Sequence, residues 1–425
     1  MRVLVVSHGH PSFSIGGAEL ASHNLFRGLD AIDGCEAYYL ARACPPLARH
    51  GDSALMSLRH GARETFLYSD DYDDFWMSNR DLDGLREALA RYLDHVRPDV
   101  IHIHHVLGLG LEILYLARRL LPDTAIVVTF HEYLSICLNH GQMVKTRDGR
   151  LCRRASPADC AVCRPQHAPA DVFRRELFVK GHLQLADAYV SPSRFLIDRY
   201  VDWGLPRDKF HFAENGLDLV DPAPPRAAGR RARFGYFGQI SQFKGLHVLL
   251  DAVARVPAET WGDDAALCIF GGNLEHQPED FRARFAALLE AAGRRARFYG
   301  SYAAADLPAL MRQVDWVVVP SIWWENSPLV IQEAFAHGRP VICSDAGGMA
   351  EKVRDGVDGL HFRIGSAEAL ADCLSEALAD ATLWPRLRDA RPAPPGIAAA
   401  AAQHHALYAA LLEARRAGAA LGAAA

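Results

Sequence analysis

The sequence predicts an α/β protein built from two doubly wound, Rossmann-like domains facing across a cleft. Three observations predict it. The chain has 425 residues, too many for one ordinary hydrophobic core. Short, uniformly apolar, β-branched runs alternate with helical patterns along its length, as parallel strands covered on both faces require. Near the middle, "NGLDLVDPAPPRAAGRRAR" (Asn215 to Arg233) has no apolar period and reads as a linker.

The elements follow in order. The runs "RVLVVS", "DVIHIHH", "AIVVTF" and "AYVSPS" precede the linker, and "RFGYFGQI", "ALCIFGG", "DWVVVPS", "PVICSD" and "LHFRI" follow it. This divides the chain into a first Rossmann-like domain over 1–215, interrupted by an insert over 132–170, and a second Rossmann-like domain over 216–390. Beyond Arg391 comes "PAPPG" and an alanine-rich run. Its composition favours a helix from about Ile397 to Arg416 within a terminal tail over 391–425. Ligands of such sheets bind beyond the carboxyl ends of the strands.

Bulk composition excludes several classes. Half the residues are hydrophobic, 23% are charged and the formal net charge is −5, so no basic footprint marks a nucleic-acid partner. No apolar run approaches the ~20 residues of a membrane span. The start "MRVLVVSHGHPS" reads as a first strand rather than a signal peptide. The expectation is a cytoplasmic protein with its nine cysteines mostly reduced; peripheral contact at the inner face of a membrane is compatible with this.

The stretch "SIWWENSPLVIQEAFAHGRPV" (Ser321 to Val341) is the most informative. A buried strand ends near Ser321, and Ser327-Pro328 reads as N-cap and first helical residue. The helix runs to His337, with Gly338 at the left-handed position after it. Free N–H groups near Leu329 and Val330 make an anion site. Glu325 lies in the loop beside it and Glu333 one turn further on. A carboxylate is a poor neighbour for phosphate but a good acceptor for vicinal hydroxyls. A ligand with hydroxyls on both sides of a diphosphate, a nucleotide sugar, fits this pattern. The competing reading is an N-capped surface helix with two solvated glutamates.

Three further loops follow strands. In "FGQISQFKGLHVLL" the strand ends at Gln239-Ile240, and Lys244-Gly245 leads into a helix. Lysine there can meet a diphosphate as a point charge while glycine lets the backbone come close. In "SFSIGGAEL", Gly16-Gly17 open a helix at Ala18; the loop suits phosphate or sugar, or is simply a turn. In "VVTFHEY" and "HIHH", His131 and His105 end strands and can face a ligand crevice. His102 and His104, inside their strand, are expected to satisfy a buried loop carbonyl.

Taken together, "GGAE", "TFHEY", "ENG", "GQISQFKG", "ENSPLVIQE", "SDAGGMAE" and "DGVDGLHF" resemble the motifs of the retaining GT-B glycosyltransferases of family 4, in that family's order. The resemblance spans the chain to about Asp380. It implies that Lys244 binds the donor diphosphate, Glu333 the ribose hydroxyls, and Glu325 with the backbone from Asn326 through Ser327 and Pro328 to Leu329 the donor sugar and phosphates. Gly17, beside Gly16, would face the phosphate, and His131 would lie by the reacting sugar. His131, Lys244 and Glu325 are the implied catalytic residues. The implied reaction carries a sugar from a nucleotide diphosphate donor to a glycan or lipid-linked acceptor, in surface polysaccharide or glycoconjugate synthesis. It needs no cofactor for catalysis. One departure stands out: the family's arginine ahead of the lysine is Gln239 here.

After His131 comes "HEYLSICLNHGQMVKTRDGRLCRRASPADCAVC", a polar segment too long to order itself easily. Cys137, Cys152, Cys160 and Cys163, ending in a C-x-x-C pair, suit a structural zinc site with four thiolates, His140 being a substitute ligand. A disulfide or redox pair and unlinked thiols are the other readings. The aromatic, acidic segment from Tyr68 to Asp81 either helps shape an acceptor site or is a solvated loop. Two other functions share the fold: a sugar-nucleotide 2-epimerase, which needs no acceptor, and a nucleotide-sugar-binding subunit, suggested by Gln239. A glycan phosphorylase is disfavoured because no lysine is marked as bearing a cofactor.

Overall fold

The computed structural model describes residues 1–14, 16–45, 47, 53–57, 63–69, 71–219, 221–226 and 229–423. The chain forms two compact units, one of Met1–Asp218 with Pro395–Ala425 and one of Leu219–Pro394.

The first unit is organised by a sheet of eight strands: β1 (Arg2–Ser7), β2 (Glu36–Arg42), β3 (Leu55–Ser57), β4 (Glu64–Leu67), β5 (Val100–Ile103), β6 (Ala125–Thr129), β7 (Ala188–Ser191) and β8 (Phe210–Phe212). Their spatial order is β8-β7-β6-β5-β1-β2-β4-β3. Only the β3–β4 pair is antiparallel. β1, β5, β6 and β7 are buried almost throughout, which is why they read as continuous apolar runs. β2, β3, β4 and β8 carry polar or half-exposed positions and gave no such signal.

The terminal helix Ile397–Ala423 runs longer than composition suggested and belongs to this first unit rather than forming a separate tail. Tyr408, fully buried, places its hydroxyl 2.5 Å from His102 Nδ1, whose Nε2 lies 2.6 Å from Thr129 Oγ1. His102 therefore satisfies two hydroxyls, not the loop carbonyl expected of it. Burial holds its pKa well below the ordinary value, so it stays neutral.

The second unit has six parallel strands: β9 (Arg233–Phe237), β10 (Ala266–Phe270), β11 (Ala296–Gly300), β12 (Trp316–Val319), β13 (Val341–Ser344) and β14 (Gly359–Phe362). Their order is β11-β10-β9-β12-β13-β14. Numbered within the unit this is 3-2-1-4-5-6, so the winding reverses between β9 and β12, where such sheets bind ligands. The expected end of β9 at Gln239-Ile240 shifts to Phe237, because Gly238 turns to a φ of 135°.

The stretch read as a linker is partly anchored. Val220, Ala227 and Ala228 lie outside the described residues, but Ala223 is buried and donates its N–H to His337 Nδ1 at 3.0 Å. The buried guanidinium of Arg339 donates to the carbonyls of Ala223, Pro224, Met311, Val314 and His337. A single cation thus sews an irregular segment to the sheet. Among the described residues no helix is long and apolar enough to cross a membrane.

Arg339→Leu leaves five carbonyls without their donor, four of them in buried contacts, so it should destabilise the protein by about 3 kcal/mol. Urea unfolding compared with wild type measures this; an unchanged midpoint would contradict the role given to Arg339.

Candidate functional site

In the second unit the loops after β9 and β12 meet at the point where the winding reverses. After β9 the chain makes a turn at Gln242–Lys244 and enters the helix Leu246–Arg255 through Gly245. Gly245 has a φ of 69°, and a Cβ there would fall 1.8 Å from the Pro320 carbonyl oxygen. Only glycine lets the lysine loop lie directly on the end of β12. Ile322 N–H donates to Phe243 O at 2.8 Å and locks the two loops together.

Lys244 Nζ consequently donates to Glu325 Oε1 at 2.7 Å, and Ser321 Oγ donates to the same oxygen at 2.7 Å. The ammonium also stands 5.5 Å from the centre of the Trp323 ring, within cation–π range. Glu325 is buried. Burial pushes its carboxyl up, but Lys244, with smaller help from Ser321 and Trp323, brings it below the ordinary range. It is an ionised carboxylate against a part-exposed ammonium. The backbone of Glu325 is clamped as well, since Gly348 N–H donates to its carbonyl at 2.7 Å. A Cβ on Gly348 would come 1.4 Å from Asn326 O, which explains the glycine pair in "SDAGGMAE".

The adjoining helix is Leu329–Ala336, with Pro328 at the capping position. This corrects the expected cap. Ser327 sits one residue too early, and its Oγ is buried without a hydrogen-bond partner. The Leu329 and Val330 amides open the helix, where no intrahelical acceptor exists for them. Gly338 ends the segment at a φ of 71°, as expected, although the helix itself stops at Ala336. The Glu333 backbone carbonyl accepts from His337 N–H at 3.1 Å, and burial pushes its side-chain carboxyl up to about 7. Burial raises the pKa of the Tyr302 phenol, and the Glu333 carboxyl nearby adds to the rise. Gln239 is exposed; its carbonyl accepts from Tyr236 Oη at 2.6 Å.

In the first unit the carboxyl ends of β1, β5 and β6, adjacent in the sheet, carry His8, His104 with His105, and His131. His131 Nε2 lies 2.9 Å from His104 Nδ1, so His104 contacts another imidazole rather than the carbonyl expected. The His8 and His105 rings are 4.2 Å apart. Burial depresses all four, His131 to about 3, so the group is neutral at physiological pH. His131 can donate or accept a hydrogen bond but is not a titrating acid or base there. Next to it, burial pushes Glu132 up to about 8, with His105 Nε2 3.5 Å away. Gly16 precedes the helix Gly17–Asp30. Glu19 folds back beneath it, accepting from Ser14 Oγ at 2.8 Å and lying 3.4 Å from His8.

Ser321, Trp323, His8 and Glu132 were not singled out from the sequence. Ser321 had a usable signal, a strand-end hydroxyl four residues before a carboxylate. The others are recruited by packing. A further group, His10, His23 and Glu64, brings its ligand-type atoms within 4.8 Å of one another. Ser12 N–H donates to His10 Nδ1, which puts the His10 proton on Nε2, facing Glu64 at 2.7 Å. That is a hydrogen-bonded pair, not a free metal ligand.

Two doubly wound sheets, one with an ammonium, a helix start and two carboxylates at its reversal point, define a protein of the GT-B fold. The chain belongs to the group 1, family 4 glycosyltransferases: the family model described as "Glycosyl transferases group 1" matches residues 231–380, and that described as "Glycosyltransferase Family 4" matches 15–221. A curated relative, D-inositol 3-phosphate glycosyltransferase of Nocardia farcinica, is 29% identical over 227 residues, 51% of this chain and 49% of its own length. The chain thus spans about half of that relative. Among solved structures, sucrose-phosphate synthase from Thermosynechococcus elongatus superposes with a TM-score of 0.71 at 21% identity, covering 97% of this chain and 99% of that one. Anabaena Alr3699/HepE, solved with UDP and glucose, gives 0.66 at 18% identity, covering 96% and 100%. At these identities the two structures establish the fold.

Glu333 allows a test by pH. Its folded value, about 7, lies above the ordinary 4.5. Its contribution to stability is therefore complete below pH 4.5 and is lost as pH rises through 7. Glu333→Gln should gain on wild type steadily across that window and hold a constant advantage above it. Parallel urea-unfolding curves for the two proteins from acid to alkaline pH would contradict the burial assigned to Glu333.

Proposed function

We propose that the protein is a retaining glycosyltransferase that moves a sugar from a nucleoside diphosphate donor to a glycan or lipid-linked acceptor, in surface polysaccharide or glycoconjugate synthesis. The observation that carries this reading is the contact of Lys244 with Glu325, 2.7 Å, beside the amide start of the helix Leu329–Ala336. The complex of Anabaena HepE with UDP and glucose is in line with a sugar-nucleotide donor here.

Lys244 stands ready to turn from Glu325 to an incoming diphosphate, while Ser321 still holds the carboxylate. The unpartnered Ser327 hydroxyl and the Leu329 and Val330 amides add neutral donors for phosphate oxygens. Glu333, ionised once hydroxyls bond to it, takes the ribose. In the transfer, the bond from the anomeric carbon to the diphosphate oxygen breaks and its electron pair leaves with the diphosphate. Lys244 and the helix start stabilise that charge. The acceptor oxygen bonds to the same face of the anomeric carbon, and its proton passes to the departing phosphate. His131, neutral, serves as a hydrogen-bonding partner for the donor sugar. The work is placed in the cytoplasm, at the inner face of the membrane when the acceptor is lipid-linked.

Exposed Gln239, where the family carries arginine, favours one second reading: a subunit that binds the nucleotide sugar without consuming it. UDP-, GDP- and ADP-sugars should be screened by thermal shift, since binding raises apparent stability. Consumption of the stabilising donor, with and without acceptors, is then followed. Acceptor-dependent consumption with the anomeric configuration kept supports the transferase, and stabilisation without consumption supports the binding subunit. Lys244→Ala should lower kcat by about 10²–10³; wild-type turnover in that variant would remove the lysine from the mechanism.

A further inference from the structure

The four cysteines that follow His131 come together. Cys137, Cys152, Cys160 and Cys163 all line one small, largely apolar cavity of about 20 Å³, shared with Met143 and Val144. That volume has room for a single ion or water. The cysteines arrive from both sides. Cys137 closes a turn on Tyr133, its N–H donating to that carbonyl at 2.7 Å, and Cys152 N–H donates to Met143 O at 2.7 Å, next to the single antiparallel bridge Val144–Leu151. Cys160 and Cys163 are one turn apart on the helix Pro157–Cys163, whose start is capped by Ser156. None of the four is in a disulfide.

We propose that this cavity is a structural zinc site with Cys137, Cys152, Cys160 and Cys163 as its ligands. Three independent features support it. First, the four cysteines reach one cavity from a turn, the strand bridge and the helix, with no disulfide among them; as thiols, Cys137 and Cys152 donate to the carbonyls of Asn139 and Arg154.

Second, a buried cation nearby needs negative charge. Arg175 is 2% exposed and gives its hydrogen bonds to neutral groups, the carbonyls of Phe75, Ser135 and Leu134 and the sulfur of Met77. No carboxylate among the described residues lies within 4 Å of it. A zinc ion with four thiolates carries a net charge of −2, which would offset this guanidinium. Third, the segment has little else to hold it. Between Thr129 and Pro169 the secondary structure is that one short helix and that one bridge. A loop of this length needs a staple.

Other readings fit less well. His140, the expected substitute ligand, is exposed, and its Nε2 accepts from Arg164 Nη1 at 3.2 Å. Among the described residues no three of these sulfurs lie within 4.8 Å of one another; the metal draws them together by rotation between staggered side-chain rotamers. The consequence of the site is positional. It would fix the chain that begins at His131 and Glu132, beside the imidazole cluster.

The test uses the full chain purified without chelator. Elemental analysis should find about one zinc per chain, released by a thiol-specific mercurial. Cobalt exchanged into the wild-type protein should show thiolate-to-metal charge-transfer absorption. Cys163→Ser and Cys152→Ser should lose most of the zinc, and His23→Ala should keep it. The wild-type cobalt spectrum decides the matter even where the cysteine variants fold poorly. Zinc far below one per chain, four freely titrating thiols, a disulfide by mass spectrometry, or a cobalt spectrum without sulfur bands would each overturn the proposal.

Discussion

The ion pair of Lys244 with Glu325 is the constraint on which the second unit's organisation turns. A buried carboxylate is tolerable only with a cation and hydrogen-bond donors on it, and Lys244 and Ser321 supply these. For the lysine to reach, the β9 loop must lie on the end of β12, which is the reason for Gly245. For the glutamate to stay in place, its own backbone must be held from below, which is the reason for Gly348. A partly exposed ammonium held by a buried carboxylate is a cation whose position is fixed by the fold itself.

The first unit solves a different problem. Four imidazoles stand at the ends of three neighbouring strands, and burial keeps them neutral. A neutral group of this kind contributes directed hydrogen bonds rather than charge. It is supported from behind by the terminal helix, whose Tyr408 reaches His102, and His102 in turn reaches Thr129 at the end of β6. A helix at the far end of the sequence is thus part of the wall behind the first unit's strand ends.

Much of this was legible in the sequence, and the exceptions have physical causes. The central strands of both sheets are buried on both faces and announce themselves as apolar runs. "EAYYLAR" is bounded by charged residues and holds no β-branched one, "ARFYG" is interrupted by an arginine, and β3 and β8 are three-residue edges, so the search for β-branched apolar runs did not find them. The lysine and glutamate loops were found because their chemistry sits in short motifs beside glycine and proline. The Ser327 cap was misplaced because Pro328 itself takes an extended ψ of 116° instead of opening the helix, so the helix starts one residue further on and the serine hydroxyl is left unpaired. The stretch around Ala223 looked like a linker because it has no apolar period, yet its backbone is bound by the side chain of Arg339, more than a hundred residues later.

Local chemistry, then, was settled by the sequence: which loops carry a cation, which carry carboxylates, where glycine admits close approach, and that two parallel-sheet units follow one another. Those properties depend on residues a few positions apart, so the order of residues contains them. Tertiary structure alone decided that Lys244 and Glu325 are in direct contact and that His104 and not a carbonyl meets His131. Each of these is set by the order of strands in a sheet and by burial, which depend on the whole chain's packing and leave no trace in any short stretch of it.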